Sequence, residues 1–299
     1  MTQLETTWDG LPIAPDDPRG AAIVVRRNGT PGEEFLVLHR HHHGPHFEGD
    51  WAWTPPSGAR LPDEAVLDGA CRELAEEAGL SGVDVRPVDL SGTWAVFAAR
   101  IDPDTPITLD VEHDRFEWLG REEALARLAP SAVVEAFQRG SKVPLPRLGF
   151  RPPTEQDAWP GCPYVRQFRT GPLDNASTIT ADGEAIGLIR YDSTVDHPEW
   201  TDEWTGAVGL DYVIGTAAWT GRGIGPQIIW AYVRDIVVPQ HPGVPGILAA
   251  PEVSDGRAIR ALLKAGFRRL DDDMTQPGGS RHALCVFEPA RLTGVSGAL

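Results

Sequence analysis

Short apolar runs alternate with polar residues along the first half of the chain, and glycines or prolines separate them. This pattern predicts strands at residues 21–26, 34–39 and 92–100. Apolar positions at helical spacing predict a helix that opens at Pro62 and Asp63 and ends at Gly79, because glycine adopts the left-handed conformation without steric cost. Further helices are predicted at residues 122–128 and 131–138.

The second half shows the same kind of alternation. A hairpin is predicted at residues 177–192, with its turn at Asp182 and Gly183. Apolar strand patterns follow at residues 208–214 and 247–250. Helices are predicted at residues 226–238 and 257–267, where apolar side chains recur at helical spacing.

Length and composition indicate a globular protein of two domains. The chain has 299 residues, of which 41% are hydrophobic and 23% are charged, so each of two domains is large enough to bury its own core. Proline and glycine interrupt the periodic pattern near residue 144. We therefore predict a lead-in at residues 1–18, a first domain at 19–140, a linker at 141–147 and a second domain at 148–299.

The net charge and the cysteine content argue against several classes of function. A formal net charge of -16 argues against a general binder of nucleic-acid polymers or anionic membranes. The 3 cysteines are too few and too scattered to predict a disulfide framework or a zinc site. The first residues lack the basic start and apolar core of a secretory signal, and no apolar run has membrane-spanning length. We expect a cytoplasmic protein whose oligomeric state the sequence leaves open.

One stretch, residues 58–80, places acidic residues at fixed offsets from glycine and arginine. Glu73, Glu76 and Glu77 fall on neighbouring positions of one helical turn. Three carboxylates so close together repel one another, and Arg72 alone cannot neutralise them. The pattern therefore favours a bound cation, and a solvated charged helix face is the alternative.

This stretch resembles the Nudix box, GX5EX7REUXEEXGU with U an apolar residue, and it fills every defined position. The resemblance implies an αβα-sandwich domain that uses Mg²⁺ or Mn²⁺ to hydrolyse a nucleoside diphosphate linked to another group. It implies that the metal is held by Glu73, Glu76, Glu77 and the backbone carbonyl of Ser57. It also implies that Arg72 orients a carboxylate and that Glu64 lies next to the ligands without binding the metal itself. Hard cations prefer such oxygen ligands and can activate water. Because Ser57 stands where many family members have a second glycine, the substrate preference is open.

Two other features of the first domain are candidates for chemistry. Glu112 and His113, followed by Trp118, resemble the "EH…W" segment of Nudix domains, which implies that Glu112 adds a metal ligand or the base. An exposed strand end is the alternative. Residues 39–50 contain several histidines, which can bind transition metals. This tract also contains glycine and proline and has no matching cysteine or acidic ligands, so we interpret it as a substrate-facing or surface loop.

A glycine-rich turn precedes the predicted helix at Pro226. Its residues are Gly221, Arg222, Gly223, Ile224 and Gly225. Such a turn exposes backbone N–H groups at a helix start, where the helix dipole favours an anion. The glycine spacing differs from that of dinucleotide-binding proteins, so a nicotinamide cofactor is not expected.

The order of strand, glycine-rich turn, helix, strand and a helix ending in AGF resembles the GNAT family of N-acetyltransferases. The segments GLDYVIG, GRGIG and RAIRALLKAGF are similar to its aminoglycoside 6'-N-acetyltransferase branch. The resemblance implies a mixed α/β sheet domain in which residues 221–225 bind the pyrophosphate of acetyl-CoA. It also implies that Asp211 holds or deprotonates an acceptor amine, since an amine must lose a proton before it attacks a thioester.

Further residues bear on the acceptor side. An acidic mouth that attracts a cationic amine could be formed by Asp196, Glu199, Asp202, Glu203 and Asp211. For the first four, a solvated loop is the alternative. Asp255 and Leu262 stand where the family usually has an asparagine and a tyrosine that protonates the departing thiolate. These replacements favour acetyl-CoA binding over efficient acetylation of an aminoglycoside.

The leading hypothesis is a metal-dependent nucleotide hydrolase with an attached acetyl-CoA-binding domain. One alternative is a bifunctional enzyme that also acetylates a small amine, and Leu262 counts against it. Another is a non-catalytic sensor of nucleotides or acyl-CoA, and the complete set of box carboxylates counts against that.

Overall fold

The computed structural model describes residues 5–7, 10–30, 32–41, 44–159, 162, 165, 175–193, 204–275 and 280–294. The chain divides into two compact units, Met1–Leu145 and Pro146–Leu299. Each unit is built on one seven-stranded mixed sheet with helices packed on it. The predicted α/β fold class is therefore confirmed for both halves of the chain.

The first unit contains seven strands, β1 Gly20–Asn28, β2 Glu33–Arg40, β3 Trp53–Thr54, β4 Ser57–Ala59, β5 Arg86–Asp89, β6 Trp94–Arg100 and β7 His113–Leu119. Its helices are α1 Val66–Ala78, α2 Arg121–Arg127 and α3 Ser131–Lys142. The sheet order is β3-β2-β1-β6-β5, with β4 paired to β1 and β7 paired to β2. Strands β1 and β6 run parallel, and the other described pairs run antiparallel.

The core of this unit is centred on β1, whose Ile23, Val24 and Val25 are fully buried. Helix α3 lies directly against this strand: a Cβ atom on Gly140 would come within 2.4 Å of the Val24 side chain. The buried Arg26 guanidinium donates to the Gly140 carbonyl at 2.8 Å and to the Val143 carbonyl at 3.0 Å. It thereby satisfies carbonyls at the end of α3 that have no partner within the helix. The helix continues to Lys142 and so overlaps the predicted linker.

The second unit contains the strands β8 Leu148–Arg151, β9 Ala176–Ala181, β10 Glu184–Ser193, β11 Val208–Ile214, β12 Ile247–Ala249, β13 Arg268–Thr275 and β14 Arg281–Phe287. Its described helices are α4 Gly225–Tyr232, α5 Val238–Gln240, α6 Gly256–Lys264 and α7 Pro289–Thr293. The sheet order is β13-β14-β12-β11-β10-β9-β8. Strands β11 and β12 form its parallel pair, and β9 and β10 form the predicted hairpin.

Two helices differ from the sequence prediction. Helix α1 begins at Val66 rather than at Pro62, because Asp63 has a φ of 62° and the Glu64 carboxylate accepts from the Leu61 N–H at 2.9 Å. The helix predicted from Pro226 is continuous but irregular, since a π-helical turn at Val233–Val237 separates α4 from α5. Pro239 removes a backbone donor there, and a π turn is one way for a helix to accommodate this loss. No helix in the described part of the chain is long and apolar enough to cross a membrane.

Candidate active sites

Helix α1 and strand β4 bring the box residues together in the first unit. The Glu73 carboxylate lies against the backbone of Gly58: a Cβ atom on this glycine would be 2.0 Å from the Glu73 carboxyl carbon. This close approach explains why the position requires glycine. Burial raises the pKa of Glu73 despite a hydrogen bond from Arg72, and the nearby charges of Glu76 and Glu112 raise it further.

Arg72 is the cation at the centre of this cluster. Its Nε and one terminal nitrogen donate to the two oxygens of Glu64 at 2.8 and 3.0 Å. Its other terminal nitrogen donates to Glu73 at 2.8 Å and to Glu76 at 3.1 Å. Burial opposes ionisation of Glu64, but the hydrogen bonds from Arg72 and Leu61 outweigh it, and the pKa of Glu64 is lowered. Glu64 is thus the ionised partner that fixes Arg72.

Glu77 is the most deeply buried of the three carboxylates predicted to bind the metal, with a relative exposure of 4%. The Ser57 N–H donates to its Oε2 at 2.7 Å, and Arg40 approaches its Oε1 to 3.9 Å. Burial raises the pKa of Glu77 well above its ordinary value, although Ser57 and Arg40 oppose the rise. The buried Nε2 of His113 also lies 3.9 Å from Glu77 Oε1 and, among the described residues, has no hydrogen-bond partner.

Glu76 and Glu112 complete the cluster on its accessible side. The Glu76 side chain is 56% exposed. Glu112 immediately precedes β7, where the His41 N–H donates to its carbonyl at 2.8 Å. Since the charge of Glu112 raises the pKa of Glu73, the structure brings this predicted residue to the box carboxylates. Arg40 is a member of this cluster that sequence reasoning missed, because its position at the end of β2 gives no motif signal.

The donor set fits a hard divalent cation chemically. It consists of carboxylate oxygens, among them those of the buried Glu77 and the half-buried Glu73, whose pKa values are both raised. Within the described ranges, however, no three acidic, histidine or cysteine side chains are grouped closely enough to hold a metal ion. Glu73 and Glu76 are engaged by Arg72, and Glu77 is engaged by Ser57. A metal would have to compete with these hydrogen bonds.

The histidine tract has a structural part and an exposed part. His39 belongs to β2 and is fully buried, with its ring nitrogens 2.6 Å from Asp114 Oδ1 and 2.8 Å from the Phe47 carbonyl. It therefore anchors the following loop rather than facing solvent. Its place in β2 agrees with the strand predicted at residues 34–39 and corrects the interpretation of the tract as a surface loop from residue 39 onward. His42 and His43 lie outside the described residues.

The glycine-rich turn of the second unit leads into α4 as predicted. Gly221 and Gly223 have φ angles of 77° and 79°, which favour glycine. Arg222 is exposed, and its guanidinium packs 5.5 Å from the Trp219 ring centre. Ile224 is buried, and Gly225 begins the helix. In the described part of the chain, no backbone carbonyl accepts from the N–H groups of residues 221–224, so the turn can offer them to an anion.

Next to this turn, β11 separates from its parallel neighbour. Its pairing with β12 covers Val208 and Gly209, and the strand then continues to Ile214. The Tyr212 hydroxyl points to the start of α4, 3.0 Å from where a Cβ atom on Gly225 would lie. Burial, together with the charge of Asp255, raises the pKa of Tyr212 to about 12. Beyond Gly209, β11 has no pairing with β12 among the described residues.

Asp211 lies on this part of β11 with its side chain 56% exposed. The predicted base is not isolated: Arg190, directly opposite on β10, donates to its Oδ2 at 3.0 Å. This ion pair could not be predicted from the sequence, because it depends on the register of β10 against β11.

The remaining predicted acceptor residues are less informative. Asp196, Glu199, Asp202 and Glu203 lie outside the described residues. Asp255 caps α6 by accepting from the N–H groups of Arg257 and Ala258 at 3.1 and 2.9 Å, a role that either aspartate or asparagine can fill. Leu262 is 3% exposed and packs in the core.

Comparison with known families assigns one domain to each unit. The family model "NUDIX domain" matches residues 17–137, and the "Acetyltransferase (GNAT) domain" model matches residues 163–272. The chain belongs to the Nudix family through its first unit, and its second unit carries a GNAT-type acetyltransferase domain, which confirms both predicted resemblances.

Several curated proteins resemble parts of the chain. The asymmetrical bis(5'-nucleosyl)-tetraphosphatase of Mus musculus is 32% identical over 120 residues, which cover 34% of this chain and 78% of that protein. The aminoglycoside N(6')-acetyltransferase type 1 of Klebsiella pneumoniae is 30% identical over 119 residues, which cover 39% of this chain and 52% of that protein. An octanoyltransferase of Myxococcus xanthus is 28% identical over 141 residues, covering 43% and 38% of the two chains. The last two matches span only about half or less of those relatives.

Among solved structures, an aminoglycoside acetyltransferase AAC(6')-Ib in complex with coenzyme A covers 48% of this chain and 95% of its own, at 23% identity and a TM-score of 0.39. A Caenorhabditis elegans Ap4A hydrolase binary complex covers 40% of this chain and 92% of its own, at 22% identity and a TM-score of 0.33.

Proposed function

We propose that the first unit hydrolyses a nucleoside diphosphate linked to another group and depends on Mg²⁺ or Mn²⁺. The observation that carries this proposal is the group of box carboxylates beside Arg72, in which Glu77 is buried, Glu73 is half-buried and both have raised pKa values. Glu73, Glu76, Glu77 and the Ser57 carbonyl would hold the cation. The bound metal would offset phosphate charge and activate water.

The chain's own residues have distinct roles in this proposal. Glu64 fixes Arg72 through two hydrogen bonds, and Arg72 in turn orients Glu73 and Glu76. Glu112 lies near Glu73 and is a candidate for the base or for a further ligand. Because the Mus musculus relative is a bis(5'-nucleosyl)-tetraphosphatase, dinucleoside tetraphosphates are the first substrates to test.

The test compares hydrolysis by the wild type and by Glu76→Gln across nucleoside di- and triphosphates and dinucleoside polyphosphates, with Mg²⁺ or Mn²⁺. The neutral amide is a poor metal ligand, so turnover should fall by at least about a hundredfold, the upper end of the loss seen for residues that only support ligands. Glu122→Gln is the matched control, since Glu122 is 83% exposed on α2 and pairs with Arg121. Wild-type turnover in Glu76→Gln would exclude Glu76 as a ligand.

We propose as a second activity that the other unit binds acetyl-CoA and transfers its acetyl group to a small amine. The glycine-rich turn, exposed at residues 221–223, supports cofactor binding. The part of β11 beyond Gly209, which has no pairing with β12 among the described residues, supports a site for the extended part of the cofactor. Asp211 is the candidate base. Acetyl-CoA should raise the melting temperature of the wild type, because a ligand that binds only the folded state stabilises it. Asp211→Asn should keep this shift and lose transfer, whereas unchanged transfer would exclude Asp211 as an essential base.

A further inference from the structure

Three charged side chains meet on one face of β10 and β11. Arg190 and Asp211 face each other in the antiparallel register, and Asp192 lies two residues along β10 on the same face. Arg190 donates to Asp211 Oδ2 from its terminal nitrogen at 3.0 Å and from Nε at 3.3 Å, while Asp192 approaches Nε to 3.4 Å. The guanidinium therefore lies between the two carboxylates.

Arg190 is the least exposed member of this group. Its side chain is 17% exposed, compared with 32% for Asp192 and 56% for Asp211. The cation is thus held in place at the base of the cluster, while the carboxylate that would meet the acceptor is accessible to solvent. An acceptor amine that approaches Asp211 comes close to a fixed positive charge.

We propose that Arg190 determines the acceptor specificity of the second unit by excluding polycationic amines and admitting an acceptor of low positive charge. This inference rests on the proposed acetyl transfer, because it concerns the same acceptor site. The three side chains together carry a charge of one negative unit, whereas the two aspartates alone would carry two. A single ammonium group can still bind Asp211, but each further ammonium gains less attraction and meets the guanidinium.

The strength of this effect follows from distance and solvent exposure. Like charges a few ångströms apart at a protein surface change an equilibrium by about tenfold. The effect increases with the number of charges on the ligand, so it discriminates an aminoglycoside from a monoamine. The Arg190–Asp211 ion pair should contribute little to the stability of the β10–β11 pairing, because ion pairs at a protein surface contribute little to folding.

The test measures kanamycin binding by calorimetry, in the presence of coenzyme A, for the wild type, Arg190→Gln, Arg190→Lys and the double variant Arg190→Gln/Asp211→Asn. Arg190→Gln should bind kanamycin about tenfold more tightly than the wild type. Arg190→Lys keeps the charge and should bind as weakly as the wild type. The double variant should lose the gain, because the carboxylate released from Arg190 is then absent.

Arg268→Gln is the control for overall charge. Arg268 begins β13, the edge strand of the sheet, and forms an ion pair with Glu288, so this variant removes one positive charge away from the acceptor site. Equal kanamycin affinity in Arg190→Gln and the wild type would overturn the proposal, and so would an equal gain in Arg268→Gln. A lower melting temperature of Arg190→Gln with no gain in affinity would assign Arg190 a structural role only. The acetyl-CoA melting shift and the transfer assay are measured separately. If acetyl-CoA does not bind, or its acetyl group is not transferred, the proposed activity is contradicted rather than the role of Arg190.

Discussion

The pKa values of carboxylates inside the two units are shifted in opposite directions. In the first unit, burial raises the pKa values of Glu73 and Glu77 because the available cations and N–H groups do not compensate for it. In the second unit, Asp157 is 3% exposed but accepts from Arg151 through both oxygens at 2.7 Å, and also from Thr154 and Thr178. These donors, Arg151 above all, hold its pKa well below the ordinary value.

The difference distinguishes the cluster proposed to bind a metal from a carboxylate that serves the fold. A buried carboxylate that is fully hydrogen-bonded stabilises the fold, and nothing further needs to bind it. A group of carboxylates that the protein leaves under-compensated is costly in the free protein, and a cation can recover that cost. Perturbed pKa values at such a group therefore support a metal site more strongly than the count of acidic residues does.

The largest expected effect is on the first site, through Gly58. In Gly58→Ala the new methyl group would occupy the position of the Glu73 carboxylate, 2.0 Å from its carboxyl carbon. The displaced carboxylate should lower hydrolysis by about a hundredfold, as misplacement by about 1 Å can do. Steady-state kinetics would measure this loss.

Gly32→Ala is the control, because a Cβ atom there would meet nothing within 4 Å. Equal losses in the two variants would mean that glycine substitution acts through general destabilisation. Unchanged hydrolysis in Gly58→Ala would show that the position of Glu73 does not matter for activity.

A smaller effect is expected at the structural carboxylate of the second unit. Asp157→Asn removes the charge that Arg151 faces and replaces one acceptor oxygen by a donor. The free energy of unfolding should fall by about 1.5–3 kcal/mol, the range for hydrogen bonds to charged groups. Denaturation in urea would measure it, with Glu155→Gln as the exposed control. A variant as stable as the wild type would show that Asp157 is not an anchor.

The smallest effects are the pH dependences, and their signs are opposite in the two units. Asp157 has a lowered pKa, so its contribution to stability is present above the ordinary value near 3.8 and is lost as the pH falls through its folded pKa. Glu77 has a raised pKa, so stability falls as the pH rises from about 4.5 through its folded pKa. Melting temperatures of the metal-free protein, followed from about pH 8 down to well below the ordinary aspartate value near 3.8, would show both.

Each pH effect should disappear in a separate variant. Asp157→Asn should reduce the loss of stability on the acid side, and Glu77→Gln should reduce the loss on the alkaline side. The contrast between the two units would be wrong if Glu77→Gln lost as much stability with rising pH as the wild type does. That result would mean that hydrogen bonds and nearby cations already offset the burial of the Glu77 charge in the metal-free protein.

The sequence predicted what depends on local pattern. The box residues, the β9–β10 hairpin and the glycine-rich turn before α4 follow from spacing, and the structure has them. Strands β4, β5, β13 and β14 were not predicted. β4 has three residues, β5 contains Pro87, and β13 contains three consecutive aspartates, so these three do not show the alternation that marks a strand. β14 ends in a buried apolar run at residues 283–287, which is a strand pattern that the prediction missed.

The sites could be predicted only in part, for a similar reason. Glu73, Glu76 and Glu77 are close in sequence, and their helix brings them together. Arg40 reaches Glu77, and Arg190 reaches Asp211, through pairings between distant segments that no motif encodes. These contacts determine how much of the negative charge of each carboxylate is neutralised within the protein, and they can be found only from the three-dimensional structure.

The most direct test of the central claim is Mn²⁺ binding to the wild type and to Glu77→Gln, followed by calorimetry together with the melting temperature. The glutamine can still accept from the Ser57 N–H but carries no charge. We expect the wild type to bind Mn²⁺ and to gain stability from it, and Glu77→Gln to lose this binding while its metal-free form is at least as stable as the wild type. Equal Mn²⁺ affinity in both proteins, or no binding to the wild type, would contradict the assignment of this cluster as a metal site.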